Sequence, residues 1–342
     1  MEVSSGGLAM TQRFRLGLAI AAAAIAAGAL IPTASAQYDP TPRIDVRQEQ
    51  SQAFTPRVTL PRGVVEAASV YESYLRHAAA IQTGFRDGES VRAAMNVGEA
   101  YQPEQMQEGL IAYAALIALE DERFVKGVQV VIRGPEAADR EASLLLSNPA
   151  QVAAIPGAGH AAALIGAELR QEGGQLLQTG LAVKQAAYTV QREAWSKRIV
   201  PDQRDRLAYA KSLAATATIP APDDVSHLLQ TAAGFRDRAT AVEQDPGLAS
   251  PAIQRGLSLA ALALMGEARD EGQLRPILAD GAGASCMRMA KLNLYQCLAV
   301  AGPHYEDVFC LGQHALADTG QCVAAIGGSR GQTVAEMAAA DR

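Results

Sequence analysis

The sequence predicts an all-α protein built from two related helical units, with a disulfide-linked α-hairpin near the C-terminus. Three observations carry that expectation. Apolar residues recur at steps of three and four, and no stretch alternates like a strand for long enough to compete. The tetrapeptide Gly-Phe-Arg-Asp occurs at 84–87 and again at 234–237, each time after a helical pattern. All four cysteines, Cys286, Cys297, Cys310 and Cys322, flank one turn signal, Ala301-Gly302-Pro303-His304.

Residues 1–36 read as a secretory signal. Arg13 and Arg15 give a short basic start, Leu16 to Ile31 is an unbroken apolar run, and Ala34-Ser35-Ala36 fits a small-x-small cleavage site. The run is shorter than the ~20 residues a membrane span needs. A cleaved leader is therefore expected, with Gln37 as the first mature residue. No later stretch is apolar enough to span, so the mature chain is expected to have no transmembrane segment. Residues 37–62, rich in Pro and Gln, read as an extended arm.

The first helical unit is expected over 63–200. A helix from Gly63 to about Thr83 puts Val64, Ala68, Tyr71, Leu75 and Ala79 on one face. Gly84 is expected to end it at a left-handed cap, with Phe85 folding back on the last turn. Asp87 then caps a second helix that runs to Ala100. Pro103 suits the first position of a third helix, which reaches Asp121. Shorter helices follow at 122–132, 135–147 and 149–155. Pro156-Gly157-Ala158-Gly159 breaks the chain before a long helix from His160 to Arg198, with Gly173-Gly174 as the place for a kink. Pro201 and the pair Pro220/Pro222 bracket a further helix in the second unit, 201–330.

From Asp223 the pattern begins again. His77 precedes Phe85 by eight residues, and His227 precedes Phe235 by eight. Gln107-Glu108-Gly109-Leu110 is answered by Gln254-Arg255-Gly256-Leu257. Gln151-Val152-Ala153-Ala154-Ile155 is answered by Gln296-Cys297-Leu298-Ala299-Val300. The offset drifts only from 150 to 147 to 145. An internal duplication is the expectation, with His77 and His227 as paired structural positions. Two copies would pack on each other rather than form a solenoid, which needs three. Residues 331–342 read as a short tail.

An even number of cysteines in an exported chain makes disulfides the default, and four allow three connectivities. Pairing Cys286 with Cys297 would join points ~16 Å apart on one helix, beyond the ~7 Å limit between Cα atoms. The crossed pattern joins points about two turns out of register. The four residues lie almost symmetrically about the turn, and symmetric residues of an antiparallel hairpin face each other. Nested bridges are therefore expected, Cys297–Cys310 inside Cys286–Cys322. One misfit remains. Cys286 and Cys297 differ by ~20° around a helix, but Cys310 and Cys322, one residue farther apart, differ by ~120°. The expected remedy is that Gly320 ends the helix and lets Cys322 swing back.

The chain carries a net charge of −6; losing residues 1–36 removes Arg13, Arg15 and Glu2 and leaves −7. That balance argues against nucleic acid or an anionic membrane surface as the main partner. Walker, Rossmann and G-x-S-x-G patterns are missing, and no cofactor is expected. There is no H-E-x-x-H and no C-x-x-C. The densest group of metal-ligating types is His304, Asp307 and His314, with Glu306 beside them. Against a metal there, the cysteines are spaced for bridges rather than zinc, and the group falls on what reads as the solvated tip of the hairpin.

Glu89-Ser90, at a helix start, resembles the Glu-Ser dipeptide in which lytic transglycosylases place their acid. Those are exported helical enzymes that cut cell-wall glycan, and the resemblance implies Glu89 as an acid. It covers two residues; the Gly-Leu-Met-Gln and Ala-x-Ala-Tyr-Asn-type segments of that family are absent downstream. Taken alone, Glu89 is a favourable early acidic charge on a helix. The cysteines resemble the twin C-x9-C helical hairpins as a physical device only, because the spacings here are x10 and x11. Trp195, the single Trp, is expected as a packing residue. No polar residues converge by spacing. The expectation is therefore a non-enzymatic exported protein, periplasmic or secreted, acting through contact with an envelope protein partner. The alternatives are a glycan-cleaving enzyme using Glu89 and a small-molecule-binding helical protein.

Overall fold

The computed structural model describes residues 60–328 apart from 202, 233 and 240–248. The expected signal, nearly all of the arm and the tail lie outside the described residues. Fourteen α-helices lie among the described residues. α1 (Arg62–Ala79), α2 (Gly88–Gly98), α3 (Pro103–Leu119), α4 (Glu122–Val131) and α5 (Pro135–Ser147) lead to a 3₁₀ segment, Pro149–Ala154. Then come α6 (Ala158–Val190), α7 (Gln203–Ala215), α8 (Pro222–Ala232), α9 (Phe235–Ala239), α10 (Pro251–Met265), α11 (Glu271–Leu278) and α12 (Gly281–Val300). α13 (His304–Cys310), a π-helical segment (Leu311–Ala317) and α14 (Asp318–Ile326) follow without a break. Among the described residues, the β structure is an isolated bridge between Ile199 and Pro303.

α3 is the hub. It is apolar on all sides, which suits a helix with neighbours all round, and nearly every residue from Met106 to Leu119 is buried. α1 packs along one side and α10 on another, with α6, α11 and α12 closing round. Gly109 lets α1 come close: a Cβ there would meet Tyr71 Cβ at 2.7 Å.

The expected corner after α1 holds in part. Asp87 accepts from Ser90 N at 2.8 Å and Ser90 Oγ accepts from Asp87 N at 3.2 Å, a reciprocal capping box. The left-handed cap expected at Gly84 does not occur, because α1 closes at Ala79, four residues before the expected end at Thr83. There the amides of Ala80 and Ile81 turn back to the carbonyls of His77 and Ala78 in tightened i→i+3 bonds.

The duplication is not shown. α1 packs along α3, but their counterparts α8 and α10 do not pair in that way; α8 lies on α1 and α10 on α3. Phe85 sits in the corner before α2, whereas Phe235 is the first residue of α9 and fully buried. Residues of both expected units share one apolar core. Recurring Ala-rich helices and Gly-Phe-Arg-Asp punctuation produced the sequence match without a matching arrangement in space.

The long helix also differs from expectation. α6 runs straight through Gly173-Gly174 as one helix and stops at Val190, not Arg198. Ser196 Oγ caps its end, donating to the carbonyl of Val190 at 2.5 Å or that of Glu193 at 3.0 Å. Gly166, Gly173 and Gly180, seven apart, face Gly327, Gly320 and Gly312 on the last helical rod. A Cβ on Gly173 would lie 2.6 Å from the carbonyl oxygen of Gly320, and one on Gly180 would lie 2.7 Å from that of Gly312. The two backbones touch, an approach that only glycine permits.

The disulfides are nested as expected, Cys286–Cys322 and Cys297–Cys310, each with Cα atoms 5.7 Å apart. The remedy at Gly320 is corrected. Gly320 lies inside α14, pressed on α6, and the helix continues to Ile326. The π-helical segment resolves the phase instead. An i→i+5 turn takes up one residue more than an i→i+4 turn, so the twelve steps from Cys310 to Cys322 act as about eleven. The offset drops from ~120° to ~20°. The same extra residue explains the glycine spacing: seven and seven on α6, but eight and seven on the rod.

Candidate functional site

α2, α7 and α13 enclose a cleft of about 380 Å³. The four-residue step of α2 brings Gly88, Arg92 and Asn96 to one face, with Glu99 just beyond the helix end. α13, fixed by the glycine seam and the inner disulfide, supplies His304 and Asp307. The chain entering α7 supplies Val200 and Pro201, and α7 itself Asp205, Arg206 and Tyr209. Val91 and Met95 add apolar surface.

Arg206 fastens the α7 wall. Its Nη1 donates to both oxygens of Asp307, at 2.5 and 2.6 Å. Its Nη2 donates to the carbonyls of Leu298 and Ala301, at 2.8 and 3.0 Å. Gln203 Nε2 donates to the carbonyls of Ala299 and Ala301, at 3.1 and 2.7 Å. The open carbonyls at the end of α12 are thus satisfied by side chains of α7. Asp307 is buried, and burial raises its pKa to about 6 although Arg206 pulls it down.

The two ends of the cleft differ in sign. Arg92, exposed, stands near His304, and Gly88 is where His304 crosses α2; a Cβ on Gly88 would lie 2.7 Å from Nε2. The His304 imidazole is held below its ordinary pKa by burial and then by the guanidiniums of Arg92, Arg206 and Arg198. At the other end Glu99 is 3% exposed, and its Oε1 is buried without a hydrogen-bond partner. Burial pushes its carboxyl up, partly offset by Lys291. Burial pushes the Lys291 ammonium down, partly offset by Glu99. Lys291 Nζ donates to the carbonyl of Glu99 and lies 3.9 Å from the centre of the Tyr101 ring. Arg92 and Glu99 stand ~10 Å apart along α2.

The residues singled out by sequence are scattered. Glu89 is exposed in the first turn of α2, and the hydroxyl of its neighbour Ser90 is engaged in the capping box. The solvated tip expected at the hairpin is corrected: Asp307 is buried against Arg206, and His304 is half-buried in the cleft. His314 points elsewhere, with Nδ1 2.8 Å from Asp318 Oδ2. Among the described residues, no group of three His, Cys, Asp or Glu is placed to hold a metal ion. His77 lies beside Arg76, while His227 reaches Glu72 at 3.2 Å. Trp195 packs at the edge of the core with its ring 6.3 Å from that of His304.

Sequence reasoning missed Glu99, Arg206 and Lys291. Lys291 had a legible signal. Ala284, Met287, Leu294 and Leu298 form the buried stripe of α12, and Lys291 occupies the stripe's middle position. Glu99 and Arg206 had no such signal, because their burial depends on contacts between distant segments.

No model of a known protein family, no characterised protein and no solved structure matches the chain. Among the described residues, no helix is long and apolar enough to cross a membrane. The two disulfides fit a non-cytoplasmic protein.

Proposed function

We propose that this is an exported, non-enzymatic binding protein, periplasmic or secreted, and that the cleft between α2, α7 and α13 takes a small polar molecule. The observation behind the reading is a cleft lined at one end by Glu99, a buried carboxyl with an unpaired oxygen, and at the other by Arg92 and His304. Buried polar groups in native proteins are nearly always paired. A ligand that donates to Glu99 and presents an anionic group to Arg92 would complete both ends. A thermal-shift screen of small zwitterions and organic acids tests it. Hits should stabilise the wild type and lose their effect in Arg92→Ala, whose exposed site leaves folding intact. Hits that act equally on Arg92→Ala and Glu99→Gln would contradict the reading.

Contact with an envelope protein is a second reading. It is supported by exposed apolar surface over the inner disulfide, where Val300 is 83% and Tyr188 50% exposed. Co-purification from an envelope extract that is lost in Val300→Asp tests it.

A further inference from the structure

A second cavity, of about 770 Å³, lies between α1 and α6. The two helices run parallel there. The Tyr71 hydroxyl reaches Glu172, and the Thr179 hydroxyl reaches the carbonyl of Ala79, at offsets of 101 and 100 residues. Glu72 and Glu172 therefore stand at one end of the cavity, and Ala79, Ala80 and Thr179 at the other, about two turns away.

Most of the charges around the acidic end are already paired. Glu72 Oε1 accepts from Arg76 Nε at 3.1 Å and lies 3.2 Å from His227 Nδ1. Arg76 Nη2 continues to Asp224 at 2.6 Å. Glu168 pairs with Arg238 at 2.9 Å. Glu172 is different. Its oxygens accept from the hydroxyls of Tyr71 and Tyr113, at 3.0 and 2.6 Å, and among the described residues no cation pairs with it. Glu72 is 7% exposed, and its Oε2 is buried with no hydrogen-bond partner. The uncompensated Glu172 carboxyl thus stands at one end of the cavity, with the largely buried Glu72 beside it. Beyond them the wall is Leu75, Ala79 and Ala80, with the amides of Gln175 and Gln178 opposite.

We propose that this cavity binds a linear aliphatic primary amine as its ammonium, with the head between Glu72 and Glu172 and the methylenes along Leu75, Ala79 and Ala80. This site is separate from the cleft and does not rest on its reading. An ammonium carries three donors; the Glu172 carboxylate takes one, and the amide oxygens of Gln175 and Gln178 are at hand for the others. A metal ion fits less well, since no three ligating side chains converge among the described residues. Burial raises Glu172 to about 7, so an arriving ammonium displaces its proton, and binding near neutral pH releases protons to the buffer.

The test titrates n-hexylamine into the full chain by calorimetry, with hexan-1-ol as the neutral isostere. Saturable binding of the amine is expected above neutral pH, weaker by tenfold or more in Glu172→Gln, with none for the alcohol. Circular dichroism checks that the variant folds. A readout that needs no variant is the wild type at pH 7 in phosphate and in Tris, where the heat of binding should differ because protons are released. No saturable heat at millimolar amine, equal affinity for the alcohol, or a heat independent of buffer would each overturn the proposal.

Discussion

The two walls of the cleft are held by opposite means. The α13 wall belongs to a seam in which three glycines of α6 meet three on the final rod, backbone to backbone, with two disulfides tying the rod to α12. The α7 wall has one fully buried residue, Ala210, and is held by the polar contacts of Arg206 and Gln203. The difference teaches that one side of a site can be set by shape and covalent closure while the other depends on charge. The first is indifferent to pH. The second is held through a contact that is sensitive to pH, because Arg206 of α7 grips Asp307 of α13, a buried carboxyl with a raised pKa.

The largest expected effect is on the charged wall. Arg206→Leu leaves Asp307 without its partner and removes two carbonyl contacts, at a cost of about 3–5 kcal/mol. Hydrogen exchange should show the α7 amides opening while those of α6 stay protected. Uniform acceleration through both helices would erase the contrast. On the seam, replacing both cysteines of the outer bridge by Ser should cost about 4 kcal/mol, and of the inner bridge about 3, because the outer closes 36 residues and the inner 13. Urea unfolding of the two variants measures the order; a costlier inner bridge would reverse it.

How much of this was legible follows from the same contrast. The hairpin, the nesting and most helix ends follow from local rules, since helix phase and capping act over a few residues. Asp87 and Pro103 behave as their sequence positions predict. The π-helical segment was visible only as a misfit of phase between Cys310 and Cys322, and the physical response was placed at Gly320, which serves the seam instead. The seam had a signal in the seven-residue spacing of Gly166, Gly173 and Gly180. Glu172 likewise occupies the inward stripe of Ile165, Leu169 and Leu176. Arg206 meeting Asp307 across 101 residues has no local signature.

A smaller effect separates buried charge from seam by pH. Burial raises Glu172 from 4.5 to about 7. A raised folded value means the folded state keeps its proton longer. Its contribution to stability is therefore complete below pH ~4.5 and is lost as pH climbs through 7, by about 3 kcal/mol. Glu172→Gln should flatten that part of the decline in urea midpoints between pH 4.5 and 8; parallel curves for variant and wild type would refute it. The smallest effect is expected at Glu89. Glu89→Gln should change stability by under about 0.5 kcal/mol, and neither protein should release soluble fragments from purified peptidoglycan. Release by the wild type that disappears in the variant would replace the binding reading with an enzymatic one.

The central claim is that the π-helical segment absorbs one residue and so brings both the glycine seam and the outer disulfide into register. Deleting His314, which lies within that segment, tests it most directly, with peptide mapping of the disulfides under non-reducing conditions as the measurement. The rod should relax to regular α-helix and both bridges should form in the nested pattern. A control with one Ala inserted after His314 should lose the Cys286–Cys322 bridge. If the deletion loses that bridge while the insertion keeps it, the extra residue is not what sets the register.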